Sequence, residues 1–271
     1  MPEPCCGPAH RPWMLGGMSR RTAVITGPTA GIGRCFATQL AASGHDLVLV
    51  SRTRERLEKL AAELRERYGV DVEVIVADLG VREQLATVEA RVSDPARPVD
   101  LLVNNAGLGL KHGFLDNTIE QEQYLLDVLV TAVLRLTRAA LEPMVARGSG
   151  AIINVSSVAG YLLRGTYGAS KAYVTSFSAW ADVTYRDRGV RVMALLPGFT
   201  RTEFHERIDV SRDSAPAWMW LDPDRLVRDA LRDLERGRAI SVPSKRYKVL
   251  SALAQYTPSS VQARFQGLGR R

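Results

Sequence analysis

The sequence predicts an α/β protein, a single domain built on a doubly wound, mostly parallel sheet, and three observations carry that prediction. Short apolar runs rich in Val, Ile and Leu recur along the chain. Segments with helical spacing separate them, and the connections are short. Near-continuous apolar strands are those buried on both faces by helices, and short strand–helix–strand connections cross over right-handed, which winds the sheet in both directions.

The elements follow in order. "TAVIT", residues 22–26, is a β-branched run that ends in glycines, and Ile32, Phe36 and Leu40 then recur every fourth residue, giving strand, Gly-rich turn and helix. "DLVLVS" is the second strand, followed by Leu57, Leu60, Ala61 and Leu64 on one helical face. The cycle repeats with "VEVIVAD", with "VDLLVNNAG" and a long helical stretch to about Arg147, with "AIINVSS" and the helix carrying Tyr167, and with "VRVMALLPG". The rhythm breaks over Phe199 to Trp220, "FTRTEFHERIDVSRDSAPAWMW". A segment that long after a strand's carboxyl end lies where ligands bind in open α/β sheets, so a lid is expected there, with a surface loop packing its tryptophans as the alternative. His205 within it reads as a solvated histidine.

At 271 residues, with 46% hydrophobic and 24% charged residues, the chain suits one large domain with a full core. No apolar run approaches the ~18 residues that span a bilayer, and no secretion signal opens the chain, which predicts a cytoplasmic protein. Three cysteines, with Cys5 and Cys6 adjacent, give no disulfide framework, and with His10 they lack the spacing of a zinc site. No metal is expected. Residues 1–18 read as a loose Pro- and Gly-rich tail containing a second methionine, Met18, residues 19–242 as the α/β body, and residues 243–271 as a basic helical extension. The net charge of +7 resides in that end: Arg238 to Arg271 hold seven Lys or Arg and no acid. No recognition motif accompanies it, so no nucleic-acid partner is expected.

The chemistry is carried at the strand ends. "TGPTAGIG", Thr26 to Gly33, puts Gly27, Gly31 and Gly33 where the first strand turns into the first helix. Glycines there let backbone approach a pyrophosphate, and the helix N-terminus supplies N–H groups and positive dipole to hold it; Thr29 and Ile32 lie within the same loop. An acid at the end of the second strand would read a free ribose 2′-hydroxyl, but "VSRTR" puts Arg52 there. Arginine grips a 2′-phosphate, which favours NADP(H) over NAD(H). Asp78 after the third strand and "NNAG", Asn104 to Gly107, after the fourth reach the same edge. "YGASK" then sets Tyr167 and Lys171 one turn apart on a helix opening at that edge, so both side chains point into one cleft. A cation ~4 Å from a phenol at an effective dielectric of ~20 contributes about 4 kcal/mol, which predicts a Tyr167 pKa lowered by roughly three units before desolvation pushes back.

Taken in order, "TGPTAGIG", Asp78, "NNAG", Ser156–Ser157, "YGASK" and "PGFTRT" resemble the short-chain dehydrogenase/reductase family from about Ser19 to Ile240. The resemblance implies a Rossmann fold and transfer of a hydride between a nicotinamide and a carbonyl or secondary alcohol substrate. It implies Tyr167 as general acid/base, Ser157 on the substrate oxygen, and Lys171 on the nicotinamide ribose. Asn104 to Gly107, with Asn104, Ala106 and Gly107 as the cofactor contacts, would support the cofactor floor, and Pro197, Gly198 and Thr202 would flank the nicotinamide end. The family often forms dimers or tetramers through its long helices, so a homodimer or homotetramer is expected.

Three departures stand out. Leu129, in "DVLV", replaces the family's catalytic asparagine, and a leucine is expected neither to hydrogen-bond nor to hold open the helix backbone that carries the relay water. Two outcomes stay open: turnover by another proton route, or a nucleotide-binding regulatory or structural subunit with impaired turnover. Ser157 precedes Tyr167 by ten residues where the family has about three more, which leaves Ser156 as an alternative. Pro28 removes one N–H from the glycine loop.

In the extension, "KRYKVLSALAQY" aligns Val249, Leu250, Leu253 and Tyr256 in one stripe, with Lys245, Arg246 and Lys248 at its start. The stripe is expected to pack on the body or a second subunit; peripheral contact with an anionic membrane and contact with an anionic substrate are the alternatives.

Overall fold

The computed structural model describes residues 20–202 and 216–257. Seven strands form one parallel sheet: β1 (Thr22–Thr26), β2 (Asp46–Ser51), β3 (Val72–Val76), β4 (Leu101–Asn104), β5 (Gly150–Val155), β6 (Val190–Leu195) and β7 (Ile240–Ser241). Their spatial order is β3-β2-β1-β4-β5-β6-β7. The order reverses between β1 and β4, and the crevice outside their carboxyl ends is where such sheets bind ligands.

Successive strand residues face opposite sides, and both sides are apolar. Ala23 and Ile25 of β1 point into one core with α1 (Gly31–Ala42), α2 (Arg54–Tyr68) and α7 (Pro223–Glu235), through Phe36, Leu57 and Leu226. Val24 points into the other, with α3 (Arg82–Ser93), α5 (Ala132–Arg147) and α6 (Gly165–Tyr185), through Val88, Leu136 and Ala181. This two-sided burial explains why the strands read as continuous apolar runs rather than alternating ones.

Local signals set the helix ends. α4 (Ile119–Leu126) begins on a reciprocal capping box, the Gln121 N–H donating to the Thr118 hydroxyl while the Thr118 N–H donates to the Gln121 side chain. α2 and α5 end on Gly69 and Gly148, at φ of 63° and 70°, left-handed geometry that glycine adopts without penalty. α4 and α5 are joined without a break by one wider π turn, Asp127–Thr131.

All six expected strands are present. β7 pairs only Ile240 and Ser241 with β6 and is too short to show a period in sequence. The extension forms α8 (Lys245–Tyr256), and of its expected stripe Leu250 is half-buried while the rest turns away from the body. Tyr247 and Ser251 face the body, whereas Val249, Leu253 and Tyr256 are 61%, 62% and 84% exposed. Tyr247 sets the rotation of the helix by seating on Gly198, and at ~100° per residue the stripe then turns outward. Among the described residues no helix is long and apolar enough to cross a membrane, and no cluster of ligating side chains could hold a metal. The tail at 1–18, Ser19, most of the expected lid with His205, and residues beyond 257 lie outside the described residues.

Candidate active site

The glycine loop lies at the switch point and is folded tightly onto its neighbours. Gly27, at φ 65°, donates to the Val50 carbonyl at 2.8 Å. A Cβ at Gly33 would stand 2.2 Å from the Gly27 carbonyl oxygen, so this close helix–strand contact admits only glycine. A Cβ at Gly31 would stand 2.9 Å from the side chain of Thr202, which brings the segment after β6 directly over the loop. Thr29 and Ile32 are half-buried, and Ile32 packs on the core beneath. Ala30, at the cap position of α1, makes no side-chain capping bond, and the first turn carries no acid. The helix therefore presents N–H donors and its positive end to an incoming anion.

"NNAG" braces this loop from β4. The Asn105 side chain donates to the Thr26 and Gly27 carbonyls at 2.9 and 3.0 Å, and the Asn105 and Ala106 N–H groups donate to the Thr26 hydroxyl, each at 3.0 Å. Asn104 turns the other way, into the core, where it donates to Asn154 at 2.9 Å and Thr137 at 3.3 Å. Gly107 faces Leu129, whose methyl lies 3.4 Å from the position of an added Cβ. Asn105, within the expected Asn104 to Gly107 motif, holds the loop.

Arg52, beyond β2, donates to the Tyr124 hydroxyl at 2.9 Å and lies 3.7 Å from the Asp78 carboxylate. Tyr124 in turn donates to Asp78, 2.9 and 3.0 Å from its two oxygens. Burial, followed by the Asp78 carboxylate, holds the Tyr124 phenol above its usual range. The three side chains form one edge of the crevice. Tyr124 carries no sequence signal of its own, being 46 residues from Asp78 and 72 from Arg52.

Across the crevice, the Ser157 hydroxyl accepts the Ala159 N–H at 3.1 Å, where it caps a short 3₁₀ turn, and it also hydrogen-bonds Tyr167. Ser156 is committed to structure: it donates to the Lys171 carbonyl at 2.6 Å and shares a hydrogen bond with Thr175 at 2.8 Å. Ser157 is thus the serine that faces the phenol. Lys171 lies beside it, its amine donating to the Val155 carbonyl at 2.8 Å and standing 5.7 Å from the centre of the Tyr167 ring.

The electrostatics correct the expected acidification. Burial pushes the Tyr167 phenol up to about 12, with the Ser157 hydrogen bond pulling the other way. Burial also pulls the Lys171 amine down to about 8. Desolvation opposes the charged form of each. Without bound dinucleotide, the phenol is a protonated donor at neutral pH.

The Leu129 expectation is corrected as well. Leu129 is buried within the π turn Asp127–Thr131, where the Ala132 N–H donates to the Asp127 carbonyl across the wider loop. The helix is therefore opened at the expected place without an asparagine, a local widening often found at functional sites.

Pro197 accepts the Val158 N–H at 3.1 Å, linking the strand end of β6 to the loop of Ser157. The Tyr247 ring covers Gly198, where a Cβ would stand 2.0 Å from it. Its hydroxyl accepts the Phe199 N–H at 3.0 Å and donates to the Met219 carbonyl at 2.9 Å, and Arg246 donates to the Trp218 carbonyl. Phe199 meets Trp220 at 5.6 Å between ring centres. One phenol from α8 thus ties both ends of the segment between β6 and α7.

A glycine cradle under an uncapped helix fits a dinucleotide pyrophosphate, and a serine, a phenol and an amine converge beside it. Together they define a nicotinamide-dependent oxidoreductase. A family model described as short chain dehydrogenase matches residues 21–213, and the chain belongs to that family. It is 34% identical over 219 residues to a very-long-chain 3-oxoacyl-CoA reductase of Anas platyrhynchos, covering 77% of this chain and 67% of the relative. Among solved structures it resembles a short-chain dehydrogenase from Sphingobium yanoikuyae in complex with NADPH, with 37% identity, a TM-score of 0.80, and coverage of 87% and 93%. It also resembles a bulky-bulky ketone specific alcohol dehydrogenase from Comamonas testosteroni, with 32% identity, a TM-score of 0.76, and coverage of 87% and 92%.

Proposed function

We propose that the protein is an NADP(H)-dependent oxidoreductase that interconverts a carbonyl and a secondary alcohol. One observation carries this reading: the Ser157 hydroxyl meets the Tyr167 phenol, with the Lys171 amine beside the ring, at the crevice beneath the glycine loop. The nicotinamide, when bound, supplies or accepts the hydride. The chain's part is to hold the substrate and move a proton. Ser157 fixes the carbonyl oxygen, and Tyr167 gives its phenolic proton to that oxygen in reduction or takes it back in oxidation. Lys171 stabilises the phenolate formed in reduction. Arg52, on the edge it shares with Asp78 and Tyr124, supports selection of the 2′-phosphate. Asn104, Ala106 and Gly107 form and back the cofactor floor, and Pro197, Gly198 and Thr202 close the nicotinamide end.

The intact π turn favours turnover over a silent nucleotide-binding subunit, because the backbone opening survives the loss of the asparagine. A homodimer suits α6, whose exposed Tyr173, Trp180 and Val183 lie with Phe177 in an uncharged ridge. The test is oxidation of NADPH, against NADH, with ketones bulky on both sides of the carbonyl and a 3-oxoacyl thioester. Tyr167→Phe should lower kcat by about 10²–10⁴ while NADPH affinity is kept. An NADPH complex with no turnover that Tyr167→Phe can remove leaves the subunit reading standing.

A further inference from the structure

We infer that the outward face of α8 docks on an anionic lipid surface. Among the described residues, Val249, Leu253 and Tyr256 lie largely exposed on that face. Lys245 shares the face, and Arg246 and Lys248 flank it in the first turn, all three exposed. An apolar stripe with basic side chains at its border is the pattern that seats a helix in the interface plane, the stripe among acyl chains and the ammonium groups at the headgroups.

Charge decides between lipid and a second copy. A two-fold pairing sets the same patch against itself, so a second copy offers Lys245, Arg246 and Lys248 only more of the same charge. The patch itself carries no opposite charge: Lys245 to Thr257 contain no Asp or Glu. The uncharged α6 ridge has no such obstacle to self-pairing. An anionic bilayer supplies both the apolar medium and the opposite charge.

The position of α8 adds a second observation. The helix follows β7 at the carboxyl edge of the sheet, and its inner face holds the substrate-side segments through Tyr247. On the same edge, Leu163 after β5 and Trp218 after β6 are also exposed. A membrane beneath α8 would therefore face the substrate half of the crevice. Docking is read without turnover, so it stands or falls apart from the proposed reaction.

The experiment is co-sedimentation of the full chain with phosphatidylcholine vesicles, with and without phosphatidylserine, at low and high salt. Binding is expected only with phosphatidylserine and should fall as salt screens the charges. Lys245→Gln and Lys248→Gln should each weaken it about fivefold, and Val249→Asp or Leu253→Asp should abolish it, with NADPH affinity unchanged as the check on folding. No binding to acidic vesicles at low salt overturns the inference. So does undiminished binding by folded Leu253→Asp, or a lipid-free dimer that Leu253→Asp splits.

Discussion

The two halves of the crevice are built on different principles. On the cofactor side, under β1 to β3, a tight backbone turn forms the cradle, with Gly33 packed against the Gly27 carbonyl and Asn105 tying the loop to β4, and the Arg52, Tyr124 and Asp78 side chains form only its edge. On the substrate side, after β4 to β7, side chains from distant segments meet, and large apolar groups such as Leu115, Leu163 and Trp218 stay exposed. A pyrophosphate needs close backbone approach, which glycines at fixed spacing encode. A substrate pocket needs shape, which many sequences can supply.

The largest break of this division targets the proton machinery between the halves. Lys171→Met should lower kcat for carbonyl reduction by about 10²–10³, since a cation 5.7 Å from the ring centre contributes about 3 kcal/mol to a developing phenolate at an effective dielectric of ~20. In the wild type the rate should fall as pH rises through about 8, where the buried Lys171 amine loses its proton. The sign follows from reduction leaving Tyr167 as phenolate, which the ammonium stabilises and the neutral amine does not. The variant should lose that limb of the profile.

Arg52→Gln tests the cofactor half alone. It should weaken NADPH by about 1.5–3 kcal/mol, the range for hydrogen bonds to a charged group, and leave NADH nearly unchanged, as read by nucleotide fluorescence. Equal weakening of both would show that Arg52 serves Asp78 and Tyr124 rather than a 2′-phosphate.

Tyr247→Phe tests the substrate half. Losing the hydroxyl leaves the Phe199 N–H and the Met219 carbonyl without their shared partner, at a cost of about 1–3 kcal/mol. KM for the carbonyl substrate should rise while NADPH affinity holds, and amide exchange at Phe199 should quicken. A shift in NADPH affinity of the same size would erase the distinction between the halves.

Leu129→Asn should have the smallest catalytic effect. The π turn is already present, so kcat should stay unchanged, while a buried amide without an assigned partner costs about 1–3 kcal/mol of stability. A large rise in kcat with unchanged melting temperature would mean that the asparagine side chain, not the opened backbone, was the missing part.

Legibility in the sequence divides between local patterns and contacts made at long range, on both sides of the crevice. Six strands, the glycine loop and the Tyr167–Lys171 pair could be read because each is a local pattern: a run, a turn, one helical step. Tyr124 and Tyr247 could not, because they act 72 and 48 residues away and an isolated tyrosine has no period to betray it. Leu129 predicts a closed helix where the backbone is open, since helix widening depends on backbone packing that a single side chain does not dictate. The stripe on α8 was found by its spacing, but spacing alone leaves open which way a helix is rotated.

Gly198 and Tyr247 interlock like a tongue in a groove, and that has an evolutionary consequence. Any larger residue at 198 collides with the ring unless position 247 shrinks first, whereas shrinking 247 first uncovers the loop. Neither single step is neutral, so the two sites should change together among descendants of this chain, and the late helix cannot be shed without disturbing the reaction chamber.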